Sequence, residues 1–386
     1  MAGIYIHIPF CRQACHYCDF HFSTQQDLRS RFVDAVQEEI RLQRDFLGNE
    51  TVETVYFGGG TPSLLPPEEL DQILRTLHST FRITTNAEVT LEANPDDLQT
   101  GPLARFREAG INRLSIGIQS FQDDTLRFFN RSHSASEAFQ RVEQARHAGF
   151  DNISLDLIYG IPDKPLSAWQ ADIARALRLQ PEHLSAYALT LEEKTVFGHW
   201  HKMKKLIPAD DESVAQQFEY LMAELDKAGY EHYEISNFCR PGFISRHNSA
   251  YWRGVSYLGL GPSAHSFRGQ TRQHNIANNA LYIQSIAQGV VPFTLEVLND
   301  AERINEIIYT GLRTRWGVDP SILKFQFGFD LVDRRRALLR RLEDSGWLMW
   351  QEKHIALTRK GKLVADQIAT DLFIDDAELA ELKKSF

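Results

Sequence analysis

Residues 4–22 read IYIHIPFCRQACHYCDFHF, and this stretch decides the fold. Residues 4–8 form a short apolar, β-branched run, the signature of a β-strand. Directly after it, Cys11, Cys15 and Cys18 stand in a C-x3-C-x2-C pattern. Three thiolates on one loop can wrap one face of an iron–sulfur cluster, because soft sulfur suits that chemistry. A fourth thiolate would close the coordination, as in an electron-transfer ferredoxin. The remaining cysteine, Cys239, is far away and reads as a buried or incidental thiol. Three ligands for four irons leave one iron open to a small molecule. The alternative is a structural zinc ion, which wants four protein ligands and usually C-x2-C pairs; His7, His16 and His21 are near enough to contribute.

Composition bounds what such a loop can belong to. The chain has 386 residues, enough for about two domains, one large and one small. Hydrophobic residues make up 43% and charged residues 24%, which excludes disorder, collagen and coiled coil. Three clustered thiols and one distant one are not a secreted disulfide framework. No apolar run approaches the ~20 residues that cross a bilayer. The first residues lack a basic segment followed by a long apolar one, so no signal peptide is expected and the expected location is the cytoplasm. Net charge is 42 − 51 = −9, which argues against a broad nucleic-acid-binding surface and leaves room for a local basic site.

Strand and helix signals alternate through the first half. Strand-like runs occur at 4–8, 54–57, 89–93, 114–118, 153–159 and 184–191, with amphipathic helical stretches between them. Leu28, Phe32, Val36 and Ile40 share one helical face. Pro66, Pro67, Glu68 and Glu69 open a second helix, and Ser134 and Glu137 stand at capping-box spacing. Six such units imply parallel strands with right-handed crossovers and chemistry at the strand C-termini. They are too few for a closed eight-fold barrel, so the expected fold class is α/β with a partial (β/α)6 barrel over residues 1–210. Residues 211–300 read as an aromatic, glycine-rich linking region. Residues 301–386 read as a smaller, mainly helical domain with a helix at 331–342, a hairpin at 347–357 and a helix at 358–373, a winged-helix-like order. Its RRRALLRR run reads as a solvated helix face, and no DNA binding is expected.

Residues at the strand ends carry further candidates. Gly58-Gly59-Gly60-Thr61-Pro62 follows the second strand, where missing Cβ atoms permit close backbone approach. Glu92, Gln119 and Asp156 fall at or just after the third, fourth and fifth strands, where polar groups read as ligand contacts.

With Tyr17 before its third cysteine, the C-x3-C-x2-C motif resembles the radical S-adenosylmethionine (SAM) superfamily. The resemblance implies a [4Fe–4S] cluster on Cys11, Cys15 and Cys18, its open iron chelated by the methionine amino and carboxylate groups of SAM. More narrowly, YIHIPFCRQACHYCDF, YFGGGTPS, GIQSF, FNRSH and DLIYGIP resemble the branch that holds oxygen-independent coproporphyrinogen III oxidase and the HemW-type haem chaperones, over nearly the whole chain. That resemblance implies SAM contacts at Tyr5, Gly59, Gly60, Thr61, Glu92, Gln119, Arg131 and Asp156, an aromatic of a second SAM site at Tyr17, and a small-residue contact at Thr190.

Two departures separate the chain from the oxidase. Phe20 stands where the oxidase has a further cysteine, and Tyr5 is almost at the start, without the oxidase's long N-terminal extension. Both are features of the chaperones. The segment His247-Asn248-Ser249-Ala250-Tyr251-Trp252 resembles the chaperones' HNxxYW segment and implies haem contact, with His247 on the iron and Tyr251 and Trp252 against the porphyrin. On the residues alone, His247 caps a turn and the two aromatics are core; His265 is a second histidine of weaker standing. The resemblance implies haem, a haem-accepting protein and a reductant for the cluster as partners. A coproporphyrinogen oxidase, which cleaves SAM to a radical, and an RNA-modifying radical SAM enzyme are the rival readings.

Overall fold

The structure is a computed structural model that describes residues 1–375 and 377–380. Ile4, Ile6 and Ile8 are fully buried on one face of β1 (Ala2–Ile8), and Tyr5 and His7 stand on the other. The same alternation runs through β2 (Val52–Gly59), β3 (Ile83–Ala93), β4 (Arg113–Gln119), β5 (Ile153–Tyr159) and β6 (His183–Ala188). These six strands lie side by side in sequence order and are parallel throughout. One face packs its isoleucines, leucines and valines under the crossover helices. The other carries Tyr56, Glu92, Ser115, Asp156 and Ser185 and lines the concave interior. This is the partial (β/α)6 barrel that the sequence predicts.

The helices follow their local signals. Phe32, Val36 and Ile40 of helix Arg29–Leu42 are fully buried, and Leu28 packs at its start. Helix Pro67–Thr80 has proline in its first turn with Glu68 and Glu69, and Ser134 and Glu137 form a complete capping box on helix Ala135–His147.

Residues 211–300 contribute more to the sheet than their pattern suggests. β7 (Glu231–Glu234) and β8 (Asn237–Cys239) extend it antiparallel beyond β6. β9 (Tyr257–Leu260) pairs parallel with the free side of β1, and β10 (His265–Arg268), β11 (Thr271–Asn275) and β12 (Phe293–Val297) continue outward. Among the described residues the sheet therefore has twelve strands. Between β8 and β9, the short helix Arg246–Trp252 crosses beneath the barrel. The Glu88 carboxylate accepts its Arg246 and His247 N–H groups at 3.1 Å each, and the Ser245 hydroxyl caps it.

A second apolar cluster gathers Ile304, Ile308, Leu323, Leu342, Ile355 and Ile368. Here β13 (Leu348–Gln351) and β14 (His354–Leu357) make the expected hairpin. Two helices depart from expectation. The one expected over 331–342 is split into Leu331–Arg334 and Arg336–Asp344 at Arg335, whose backbone leaves the helical range at φ −108° and whose guanidinium bonds Glu378 and the Phe373 carbonyl. The one expected over 358–373 is helical only at Ala365–Leu372, after a 3-10 turn at Gly361–Val364. A Cβ on Gly361 would sit 2.0 Å from the Trp347 carbonyl, so the chain hugs the hairpin there before the helix begins. The arginine run meets local acids at its start, where Arg335 pairs with Glu378 and Arg336 with Asp333.

Candidate functional site

A cavity of about 510 Å³ opens at the C-terminal ends of the barrel strands, within the size range of small-molecule sites. The cysteine loop forms its rim, because β1 delivers Phe10 and Cys11 directly above the strand ends. The base of the loop is tied down by the backbone: Cys11 N–H donates to Ser23, and Gly60 and Thr61 N–H groups donate to Ile8 and Phe10. Only glycine fits this junction. A Cβ on Gly60 would lie 2.7 Å from the Phe10 carbonyl oxygen, and Gly59 at φ +107° packs against the His7 ring. The glycines thus let β2 approach the cysteine loop as well as border the cavity.

Cys11, Cys15 and Cys18 all line the cavity, as do Tyr17, Gly59, Gly60, Thr61, Glu92, Gln119, Arg131, Asp156 and Thr190. Thr61 Oγ1 donates to Cys11 Sγ at 3.4 Å, and Arg131 Nη1 to Cys15 Sγ at 3.6 Å. Burial pushes the Cys11 thiol up to about 11 and the Cys18 thiol up to about 12. Metal capture at these two sulfurs therefore displaces a proton from each. The histidines invoked for zinc are committed elsewhere: His7 and His16 bond the carbonyls of His21 and Phe128, and His21 bonds Asn279. Among the described residues, no three His, Cys, Asp or Glu side chains, the three cysteines included, are gathered tightly enough to hold a single metal ion. Arg131 fixes the floor of the rim through Asn94 Oδ1 and the Gly117 carbonyl, both at 2.7 Å, and its buried Nε is left without a partner. Three thiols, two donors aimed at sulfur and an open guanidinium nitrogen fit a cluster with an anionic ligand beside it.

Gln119 sits at φ +67°, a left-handed conformation unusual for glutamine, where the β4–β5 register slips. Glu92 accepts from the Tyr56 hydroxyl at 2.7 Å and the Gly59 N–H at 3.2 Å. Asp156 accepts from Ser115 and Ser154. Tyr5 is the exception among the barrel candidates: its ring stacks on Tyr56 at 6.1 Å and its hydroxyl donates to His7 Nδ1, behind the cavity wall.

The HNSAYW segment lies at the base of the barrel. Asn248 reaches the cavity itself. His247 is 1% exposed, its ring stacked on Tyr56 at 4.9 Å, with Nδ1 bonded to Thr54 Oγ1 and Nε2 to Tyr251 Oη, each at 2.8 Å. Trp252 faces away, beneath the Arg313 guanidinium at 5.2 Å. His265 is on β10, exposed and stacked on His274.

The chain matches the family model of the radical SAM superfamily over residues 5–176 and that of the HemN C-terminal domain over residues 298–364. It is 36% identical to Heme chaperone HemW of Bacillus subtilis (strain 168), with 95% of this chain and 98% of that protein covered. The chain belongs to the HemW family of the radical SAM superfamily. A second HemW, from Mycobacterium tuberculosis (strain ATCC 25618 / H37Rv), is 35% identical, with 96% of this chain and 94% of that protein covered. Among solved structures, the coproporphyrinogen III oxidase HemN of Escherichia coli superposes with a TM-score of 0.83 at 25% identity, over 96% of this chain and 90% of that one. Membership of the superfamily implies a [4Fe–4S] cluster and SAM.

The HemW fold leaves one testable mark in its pH dependence. Burial, reinforced by Asp156 and opposed by the Tyr56 and Gly59 donors, pushes the Glu92 carboxyl from its ordinary 4.5 up to about 7. Native Glu92 therefore holds its proton more tightly than the unfolded chain does. Its contribution is fully present below pH 4.5 and is lost as pH rises through 7. With cavity water softening the shift, the loss is on the order of 2 kcal/mol. Urea unfolding of the cluster-free protein at pH 5 and pH 8 should show this drop, and Glu92→Gln should flatten it. An unchanged pH dependence in the variant would show that Glu92 ionises normally in the fold.

Proposed function

We propose that this chain is a haem chaperone on a radical SAM scaffold, holding haem, a [4Fe–4S] cluster and SAM and passing haem to an acceptor protein. The observation that carries the reading is Asn248. Through it, the segment that resembles the haem chaperones' motif borders the same cavity as the three cysteines. Cys11, Cys15 and Cys18 hold the cluster in this reading. Tyr17, Gly59, Gly60, Thr61, Glu92, Gln119, Arg131 and Asp156 surround SAM, with Tyr5 bracing Tyr56 from behind. When bound, the cluster would supply a one-electron reductant. Thr61 and Arg131 supply donors aimed at the Cys11 and Cys15 sulfurs, and Glu92 and Asp156 supply acceptors for ligand N–H and O–H groups.

His247, Tyr251 and Trp252 are the haem residues of this reading. Both His247 nitrogens are bonded within the fold, so ligation of iron requires the helix Arg246–Trp252 to release the ring from Thr54 and Tyr251. Residues 1–300 share one sheet and its core and are the cofactor domain of this reading, and the second apolar cluster, which starts at Ala301, carries the C-terminal domain. The described residues hold no helix long and apolar enough to cross a membrane, and we place the chaperone in the cytoplasm.

The deciding experiment is anaerobic cluster reconstitution followed by separate assays for haem binding and for coproporphyrinogen III decarboxylation. Saturable haem binding with an altered Soret band is expected, without conversion to protoporphyrinogen in the presence of SAM and reductant. Turnover at an enzymatic rate would make the protein an oxidase.

A further inference from the structure

Arg113 begins β4, and its side chain is only 1% exposed. Its Nε and Nη1 are buried without a hydrogen-bond partner, and among the described residues it enters no ion pair. A guanidinium does not give up its proton, so the fold buries a permanent charge there. Such a charge is costly unless something pairs with it. Glu92 and Asp156 lie close enough to feel its charge, but neither bonds it: Glu92 accepts from Tyr56 and Gly59, and Asp156 from Ser115 and Ser154.

The position of this cation is set by the strand. Inward residues recur every second position, and Ser115, Gly117 and Gln119 of β4 line the cavity. Arg113 is the next inward residue down, about 6.6 Å along the strand, just beneath the cavity floor. Across the sheet it pairs with Thr90, whose hydroxyl is likewise buried and unpartnered. Thr90 pairs in turn with Tyr56, a cavity-lining residue. A fork of N–H donors beside a free hydroxyl matches the geometry of a carboxylate. From the other side, His247 feels the Arg113 charge, and Asn248 completes the floor.

We propose that Arg113, with Thr90 beside it, receives a carboxylate of the molecule held in the barrel, and that this carboxylate is a propionate of haem. The second half rests on the haem reading above. Arg113 is then a specificity residue that recognises the acidic edge of the porphyrin.

Haem and haem dimethyl ester, whose carboxylates are capped as neutral esters, separate the possibilities. Both are titrated into the anaerobically reconstituted full chain and into Arg113→Lys, Arg113→Gln and Thr90→Val variants. A charge-assisted pair favours free haem over the ester by about tenfold to a hundredfold in the wild type. Arg113→Gln should bind both alike, Arg113→Lys should keep part of the preference, and Thr90→Val should reduce it. Iron content and the thermal midpoint report folding; if Arg113→Gln does not fold, the Lys and Val variants decide. Equal binding by the wild type, or a preference that survives loss of the guanidinium, overturns the proposal. If the wild type binds neither porphyrin, the haem reading fails and the propionate assignment with it. The carboxylate claim is then decided with propionate ion alone: a rise in the wild-type thermal midpoint that Arg113→Gln abolishes upholds it, and no rise, or one that persists in the variant, refutes it.

Discussion

Alanine at Cys11, Cys15 or Cys18 abolishes stable [4Fe–4S] binding in the expected result, while Cys239→Ala leaves iron and sulfide content nearly unchanged. Each of the three thiols borders the cavity, and the loop offers no fourth cysteine to replace a lost one. The backbone ties at Cys11, Gly60 and Thr61 do not depend on the sulfurs, so the alanine proteins should fold and fail only in metal retention. Cys239 lies on β8, fully buried, paired across to His183 and absent from the cavity wall. Burial pushes its thiol up to about 12, which leaves it a neutral apolar group in neutral solution. Iron and acid-labile sulfide per chain after reconstitution measure the outcome. Dependence on Cys239 equal to that on Cys15 would defeat the three-thiolate arrangement.

His247→Ala should lose haem binding and also destabilise the protein, and the two losses have separate causes. Removal of the ring leaves Thr54 and Tyr251 without their bonds and empties space against Tyr56 and Tyr5. A cavity plus orphaned hydroxyls costs about 3 kcal/mol. Burial, aided by Arg113, lowers the His247 pKa to about 3, so the neutral ring is the form that the core holds and the form that ligates iron. Tyr251→Phe separates the effects, because it frees Nε2 while keeping the ring packing. Haem titration should show loss of binding in His247→Ala and retained or tighter binding in Tyr251→Phe, both with normal iron content in the cluster. Unchanged haem affinity and Soret spectrum in His247→Ala would move the iron ligand elsewhere, and the exposed His265 is the next to test.

The barrel was legible because its strands are long and half apolar. The run at 4–8 and its five successors announce themselves by composition, and the cysteines announce the rim. The sheet edges were not legible. β7 to β11 are three to five residues long, and strands such as β11, TRQHN, hold no apolar residue at all; tertiary pairing rather than propensity makes them strands. Tyr56, Asn94, Ser115, Ser185 and Asn248 were missed at the cavity, although the alternation in RLSIGIQ already places Arg113, Ser115 and Gln119 on one face. The motif marks His247 as a ligand candidate, and nothing in it reveals that one ring nitrogen is taken by Tyr251 of the same segment and the other by Thr54 of β2.

β1 is flanked by β2 on one side and by β9 on the other. Its first neighbour is about 50 residues downstream, and its second about 250. At ~5–20 residues per second, a ribosome needs on the order of 10–50 s to deliver that second neighbour. Throughout this interval the nascent chain carries an open strand edge directly beneath its cysteine loop, and the helix that closes the base of the barrel does not yet exist. The order of synthesis thus presents the three thiols well before the floor beneath them.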